Sequence, residues 1–198
     1  RNDRFLLNLI VDQETNRTLG ATFLHIETGE VEEIRTDAVI LATGGYGALY
    51  GKHSTNSVQA TGDGLAAAVR AGAKLADMEF IQFHPTALKS SSILISESAR
   101  GAGGYLLNAN QERFTDELAP RDVVARAIHD EMAKSGVVYL DIRHLGEAFI
   151  NHELPQERKL AQIYEGIDPV NELIPIKPSA HYSMGGIEVN EKCMTSVS

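Results

Sequence analysis

The sequence has little or none of several features that define common protein classes. Of its 198 residues, one is cysteine and none is tryptophan. The single thiol, Cys193, excludes an internal disulfide framework and fits a reducing compartment, so we expect a cytoplasmic protein. No apolar run approaches the ~20 residues that a membrane-spanning helix needs, and we therefore expect no membrane segment.

The charge balance excludes a second group of functions. The chain has 18 Lys and Arg against 27 Asp and Glu, a net charge of -9, and it has no block of basic residues. We therefore expect no nucleic-acid partner. CxxC and HExxH patterns are absent and the seven histidines are scattered, which predicts no metal site. An anionic ligand would require a locally positive pocket.

The first part of the chain is typical of strands. Alternating and apolar runs predict strands over residues 4–11, 19–27 and 30–36, and turn signals at Asn16 and Gly29 favour an antiparallel meander. The next run, residues 38–43, is apolar on both faces and leads into Gly44-Gly45. This pattern predicts a buried parallel strand that ends where the backbone approaches a ligand.

The rest of the chain mixes helices and strands. An alanine-rich run predicts a helix over 65–73 with Asp63 at or near its N-cap, and Pro120 starts a second helix that continues to about Lys134 and stops at Gly136. Further segments are predicted as a strand and two helices, at 137–142, 144–152 and 156–165. The fold class is therefore α/β, and we place a domain boundary near residue 78.

Two glycine turns are candidates for a cofactor site. Thr43-Gly44-Gly45 and Gly62-Asp63-Gly64 both follow the pattern of a backbone brought close to a ligand. The plainer interpretation is that both are ordinary turns, with Asp63 acting as a helix cap.

Two histidines have a constrained sequence context. His84 precedes Pro85, which restricts its backbone to extended geometry, and His181 follows a proline-bearing stretch. Each imidazole could donate a hydrogen bond to a substrate carboxylate. The alternative is a packed, hydrogen-bonded histidine with no role in binding.

Two charged motifs complete the candidates. Glu97 and Arg100 are three residues apart, so they could pair on a helical turn, most often as a solvated surface pair. Arg121 lies in the first turn of a helix, where its charge faces the positive end of the macrodipole and calls for a nearby anion. Asp122 or Asp116 could supply that anion structurally. A dicarboxylate substrate could supply it functionally, because a guanidinium binds a carboxylate as a fork.

The order of the motifs along the chain resembles that of the succinate dehydrogenase, fumarate reductase and L-aspartate oxidase flavoproteins. The resemblance covers almost the whole chain and is carried by six motifs: Leu41-Ala42-Thr43-Gly44-Gly45, Thr61-Gly62-Asp63-Gly64, Gln82-Phe83-His84-Pro85-Thr86, Ser96-Glu97-Ser98-Ala99-Arg100-Gly101, Leu118-Ala119-Pro120-Arg121-Asp122 and His181-Tyr182-Ser183-Met184-Gly185-Gly186. It implies FAD as cofactor. It also implies a partial FAD-binding, Rossmann-like domain with a β-meander at 1–77 and 182–198, and an α+β capping domain at 78–181.

The resemblance also implies roles for individual residues. The cofactor-binding residues would be Thr43, Gly44, Gly45 and Asp63. The residues that bind the substrate or shape its pocket would be His84, Ser96, Glu97, Arg100 and His181. Arg121 would be the proton-transferring residue, although arginine stays protonated across the physiological range, which leaves a desolvated relay and an electrostatic clamp both open.

The compact segment 113–122 resembles L-aspartate oxidase most, since respiratory subunits usually have an insertion before the corresponding Arg-Asp. That activity would convert L-aspartate to iminoaspartate by hydride transfer to flavin, with reoxidation by oxygen or fumarate. It belongs to NAD biosynthesis, with quinolinate synthase as the pathway partner. The alternatives are a fumarate reductase or succinate dehydrogenase flavoprotein subunit acting on fumarate or succinate, and a cap-like binding module without catalysis.

The chain begins at Arg1 and has no GxGxxG fingerprint. We expect an internal fragment that lacks the remainder of its own chain. The missing parts would include the dinucleotide fingerprint, a second arginine and a helical domain, so the fragment alone should bind FAD poorly and be inactive.

Overall fold

The computed structural model describes residues 2–197 and separates into two compact units. The first unit consists of Arg1–Leu49, Ser57–Ile81 and Tyr182–Ser198, and the second of Tyr50–Asn56 and Gln82–His181. The identification of these units as a flavin domain and a capping domain stays a prediction.

The elements follow one another in mixed order, as expected for an α/β chain. The strands are β1 (Arg4–Asp12), β2 (Arg17–His25), β3 (Val31–Arg35), β4 (Leu75–Ala76), β5 (Ile81–Leu88), β6 (Tyr105–Leu107), β7 (Val138–Asp141), β8 (Ile174–Ser183) and β9 (Gly186–Ile187). The α-helices are α1 (Asp63–Arg70), α2 (Glu97–Gly101), α3 (Arg121–Ser135), α4 (Glu147–Glu153) and α5 (Pro155–Tyr164). Two 3₁₀ segments lie at Gly47–His53 and Arg143–Leu145.

The predicted antiparallel meander is confirmed in the first unit. Strands β1, β2 and β3 pair in sequence order, each antiparallel to the next. Asn16 and Gly29, in the two connections, have positive φ angles of 56° and 74°. Asparagine and glycine tolerate this backbone region best, so short turns form there and neighbouring strands pair.

The predicted buried strand over residues 38–43 is wrong. This segment has no regular secondary structure, and Ile40 is 90% exposed. An apolar run becomes a central strand only where neighbouring strands accept its backbone hydrogen bonds. Within residues 2–197 no strand pairs with this segment, and it lines a cavity of the first unit instead.

Helix α1 begins one residue after a glycine in the left-handed conformation. Gly62 occupies the N-cap with φ 81°. Asp63 is the first helical residue, where its negative charge is stabilised by the positive end of the helix dipole. The small residues Gly64, Ala67 and Ala68 are buried, which lets the helix pack closely. The pair β4–β9 is antiparallel and belongs to the same unit.

The second unit is built on a four-stranded sheet of order β5-β8-β7-β6. Its core is aliphatic, and the residues with no exposed surface include Leu88, Ile95, Leu106, Ile128, Leu140 and Ile174. Helix α3 contributes Val124 and Ile128 to this core and ends at Gly136 (φ 77°), which confirms the predicted stop. In this sheet β5 and β8 are neighbours, so residues on these two strands lie close together.

Among the residues that the structure describes, no helix is both long and apolar enough to span a bilayer.

Candidate active site

Neighbouring strands bring two of the predicted site residues together. His84 lies on β5 and His181 on β8, and their ring centroids are 5.2 Å apart in an edge-to-face arrangement. His84 is 1% exposed, whereas His181 is partly exposed. These histidines are 97 positions apart in the sequence, and the sheet order alone makes them neighbours.

His181 is held by residues that sequence reasoning did not single out. Its Nδ1 lies 2.7 Å from the Thr55 hydroxyl, and the Asn56 side-chain amide donates to its backbone carbonyl at 2.7 Å. Thr55 also donates its backbone N–H to Ala180 at 2.9 Å. The polar run 53–57 shows no pattern that indicates this role, because the partner is more than 120 residues away.

The surroundings of His84 keep its imidazole neutral. The backbone N–H of Thr86 donates to Nδ1 at 3.2 Å, so in the neutral ring the proton is on Nε2. Burial, and then the nearby charges of His181, Arg100 and Arg121, lower the pKa of His84 to about 4. The ring is therefore an uncharged hydrogen-bond donor at physiological pH.

The anion that Arg121 requires is Glu97. Nε and Nη2 of Arg121 donate to Oε2 of Glu97 at 3.0 and 2.6 Å, and Nη1 donates to Oε1 of Gln82 at 2.9 Å. Neither aspartate considered in the sequence analysis has this role. Asp122 pairs with Arg126, and Asp116 accepts the backbone N–H of Leu118.

Glu97 lies between two guanidinium groups. Its Oε1 is 3.5 Å from Nη2 of Arg100, whereas Arg121 binds its other oxygen, Oε2. The hydrogen bond from Arg121 is the largest cause that holds the pKa of Glu97 below its usual range. The predicted Glu97–Arg100 pairing is confirmed, but it is not a solvated surface pair, because Arg100 is 1% exposed.

Arg100 is incompletely paired. Its Nη1 donates to the backbone carbonyl of Glu117, whereas its buried Nε and Nη2 have no hydrogen-bond partner among the residues described. Nη2 is within ion-pair range of Glu97 but lacks hydrogen-bond geometry. Burial is the main reason why the pKa of Arg100 is lowered.

The cluster is positively charged in an acidic chain. Arg100 and Arg121 carry two positive charges, Glu97 carries one negative charge, and both histidines have lowered pKa values, which leaves a net charge of about +1. Three of the five N–H groups of Arg121 are engaged by described residues, so two remain for a ligand. The arrangement suits a carboxylate.

Ser96 lies beside this cluster as the N-cap of α2. Its Oγ accepts the backbone N–H of Ser98 at 3.2 Å and the Ser98 hydroxyl at 2.7 Å. In both bonds the Ser96 oxygen is the acceptor, so the Ser96 hydroxyl proton stays available for donation. Its role in substrate binding stays a prediction.

The remaining predicted residues lie in the first unit. Thr43, Gly44 and Gly45 line a cavity of about 730 Å³, and Asp63 and Thr43 line a second cavity of about 340 Å³. The larger volume lies within the range typical of cofactor pockets. The Asp63 carboxylate accepts the Thr61 hydroxyl.

The glycines at these cavities fit a large flat cofactor. Gly44 has φ 72°, and a Cβ at this position would meet nothing within 4 Å, so its backbone is open to an approaching ligand. A Cβ at Gly45 would lie 2.7 Å from the Ser183 hydroxyl, which also accepts the backbone N–H of Tyr46 at 3.2 Å. The open backbone at Gly44 is compatible with a cofactor cradle, and the binding of FAD by Thr43, Gly44, Gly45 and Asp63 stays a prediction.

Close packing at Gly64 gives a first testable prediction. A Cβ there would lie 1.9 Å from Oγ1 of Thr43. We expect Gly64→Ala in the full-length protein to lose about 1–3 kcal/mol of stability and most of its bound FAD, because Thr43 must move. Flavin absorbance per chain and the melting temperature measure this.

Gly101→Ala is the comparator for stability, since its Cβ would meet nothing within 4 Å. A Gly64→Ala variant with wild-type flavin content and melting temperature would contradict the assigned packing.

The lowered pKa of His84 gives a second prediction. The unfolded chain binds this proton near pH 6.5 and the folded chain only near pH 4. The contribution to stability is therefore complete above about pH 6.5 and is lost as the pH falls towards 4, by an amount on the order of 3 kcal/mol.

We expect the melting temperature of wild-type protein to fall more steeply over this range than that of His84→Gln, which has no titrating group at this position. A difference between the two that stays constant from pH 7 to pH 4.5 would show that His84 is not buried in its neutral form.

Within residues 2–197, no group of three or more His, Cys, Asp or Glu side chains is arranged to hold a metal ion.

Known proteins resemble this chain over nearly its whole length. A family model described as an FAD binding domain matches residues 2–197. The fumarate reductase flavoprotein subunit of Escherichia coli (strain K12) is 40% identical over 222 residues, covering 99% of this chain and 36% of the relative. The 8-methylmenaquinol:fumarate reductase flavoprotein subunit of Wolinella succinogenes is 42% identical over 201 residues, covering 94% and 32%.

A solved structure shows the same fold. The chain aligns with a quinol-fumarate reductase determined with menaquinol molecules at a TM-score of 0.91 and 40% identity, covering 98% of this chain and 38% of that one. The chain thus spans about a third of the length of the relatives it matches. On the family match, the sequence identity and the shared fold, the chain belongs to the FAD-binding domain family of the succinate dehydrogenase and fumarate reductase flavoproteins.

Proposed function

We propose that this chain is the substrate-contacting segment of an FAD-dependent oxidoreductase that interconverts fumarate and succinate. The observation that carries the proposal is a positively charged cluster. In it Glu97 pairs with both Arg121 and Arg100, and His84 and His181 lie beside them. The relatives named above are fumarate reductase flavoprotein subunits. They favour the fumarate reductase alternative of the sequence analysis over L-aspartate oxidase.

L-aspartate oxidase remains the second candidate because of one observation. The alignment with the E. coli subunit covers 222 positions, 24 more than the 198 residues of this chain, so that relative has at least 24 residues that are missing here. Such a deletion is expected at the compact segment 113–122, and this shortness is what resembles the oxidase.

Binding of the dicarboxylate rests on donors of two kinds. Arg121 offers two unengaged N–H groups as a charged fork, and neutral His84 offers its Nε2 proton. His181 is fixed by Thr55 and Asn56, so its ring is preorganised before substrate arrives. Donors that are already oriented stabilise the charge that develops on the substrate carboxylate during reaction.

Proton transfer falls to Arg121. Arg121 gives a proton from one of its two unengaged N–H groups, and Glu97 takes up a proton from solvent and passes it to Arg121 through the contact between Oε2 and Nη2. Between proton transfers the negative charge of Glu97 is balanced by Arg100, which lies within ion-pair range. FAD bound at Thr43, Gly44 and Gly45 would supply the two-electron chemistry.

The relatives are named as subunits, and we propose that the complete protein also works with partner subunits that carry electrons to or from its flavin. Quinolinate synthase as a pathway partner belongs to the L-aspartate oxidase candidate. A cytoplasmic location stays a prediction.

The test is turnover by the full-length, FAD-loaded protein with succinate, fumarate and L-aspartate. We expect succinate oxidation and fumarate reduction, with little oxidation of L-aspartate. Oxidation of L-aspartate in the absence of succinate oxidation would establish the second candidate. Protein that binds FAD but acts on none of the three acids would support the cap-like binding module and overturn both enzymatic proposals.

A further inference from the structure

We propose that Glu117 is a positioning residue that holds Arg100, and through it Glu97 and Arg121, in their working arrangement. The inference rests on the proposed function and goes beyond it, because that function gives Glu117 no role. The side chain of Glu117 binds β6 and its backbone carbonyl binds the buried Arg100. We call this pair of attachments the bracket.

The side chain of Glu117 is clamped from two sides. Its Oε1 accepts the backbone N–H of Leu106, on β6, at 3.0 Å, and its two carboxylate oxygens accept Nε and Nη2 of Arg113 at 3.0 and 2.7 Å. Burial acts to raise the pKa of Glu117, but the bonds from Arg113 and Leu106 outweigh burial, and the pKa is lowered. The carboxylate is therefore ionised and fixed to the sheet.

The backbone carbonyl of the same residue holds Arg100. Nη1 of Arg100 donates to this carbonyl, and the other side-chain nitrogens of Arg100 have no hydrogen-bond partner among the residues described. A buried guanidinium with one hydrogen bond depends on that bond for its orientation. The orientation of the Arg100 guanidinium is consequently set by the Glu117 carbonyl together with the ion pair to Glu97.

The effect extends to the reacting groups. Arg100 is the second positive neighbour of Glu97, and Glu97 accepts two N–H groups of Arg121. If the carboxylate of Glu117 is released from Leu106, the carbonyl shifts and the bond to Arg100 is lost. Glu97 then has a single countercharge, and the pairing that orients Arg121 loosens. A displacement of about 1 Å at reacting groups is enough to lower a rate about 100-fold.

A set of variants separates positioning from simple stability. In the full-length, FAD-loaded protein, Glu117→Ala removes the bracket, Glu117→Gln keeps an oxygen that can accept the Leu106 N–H, and Arg113→Ala removes only the half-exposed partner. We expect Glu117→Ala to lower kcat with its substrate about 10- to 100-fold at nearly unchanged KM. Glu117→Gln and Arg113→Ala should stay within about threefold of wild type.

Glu117→Asp covers the case in which Glu117→Ala does not fold. Its carboxylate is one methylene shorter and reaches the Leu106 N–H only if the carbonyl moves, so we expect the same selective loss of kcat. Wild-type kcat in whichever of these two variants folds would overturn the proposal, as would a rise in KM at unchanged kcat. Equal losses in Glu117→Gln and Glu117→Asp would do so as well.

A crystal structure of Glu117→Asp tests the inference separately from the proposed function. We expect the bond between Nη1 of Arg100 and the carbonyl of residue 117 to be broken, whatever acid the enzyme uses. If the wild-type protein turns over no dicarboxylate, the proposed function fails on its own. If the bond to Arg100 is intact in the variant, the positioning role fails on its own.

Discussion

Replacing Arg121 by lysine is expected to lower kcat of the full-length protein about 10²- to 10³-fold, with FAD retained. The guanidinium makes three hydrogen bonds in a fixed plane, two to Oε2 of Glu97 and one to Oε1 of Gln82. A lysine ammonium is a compact charge on a flexible stem and cannot make these bonds while also facing the substrate. Steady-state turnover and flavin absorbance measure the two effects.

Arg126→Lys is the matched control on the same helix. Arg126 also pairs with a carboxylate, that of Asp122 four residues earlier, but both side chains are exposed. Exposed pairs of this kind contribute about 0–1 kcal/mol to stability. We expect wild-type turnover in this control. Wild-type turnover in Arg121→Lys would remove Arg121 from its proposed role.

Glu97→Gln is expected to lower kcat about 100-fold while leaving the affinity for the dicarboxylate unchanged or higher. Glutamine keeps the shape of the side chain but removes the negative charge between Arg121 and Arg100. The net charge of the cluster then rises from about +1 to about +2, which favours a dianionic ligand. The proton link to Arg121 is lost at the same time.

Glu147→Gln is the control for this variant. Glu147 pairs with Arg158 at 3.0 Å and is largely exposed, so its change should leave kcat and KM unaffected. Determination of kcat together with the dissociation constant of an unreactive dicarboxylate such as malonate separates rate from binding. A Glu97→Gln variant whose affinity falls along with its rate would contradict the charge argument.

The sequence alone was sufficient to predict those elements whose ends depend on a single residue. Asn16 and Gly29 determine the meander, and Gly136 stops α3, because a positive φ is required there. The strand predicted over 38–43 is wrong because its formation does not depend on local residues alone. Whether an apolar run becomes a strand depends on its neighbours, and this dependence is absent from the run itself.

The candidate site was predictable in its types of residue but not in its pairings. The helix dipole indicated that Arg121 needs an anion, and Glu97 supplies it from 24 residues earlier, on another element. The burial of Arg100 could not be inferred from the i, i+3 spacing. The contacts of Thr55 and Asn56 with His181 span 126 and 125 residues, so only the tertiary fold reveals them.

A crystal structure of the full-length, FAD-loaded protein with fumarate tests the central claim most directly. The claim is that Arg121, His84 and His181 bind one dicarboxylate together. The predicted result is a fumarate whose carboxylates accept hydrogen bonds from the Arg121 guanidinium and from both imidazoles. Fumarate bound away from all three side chains, with Arg121 still paired only to Glu97 and Gln82, would contradict the account.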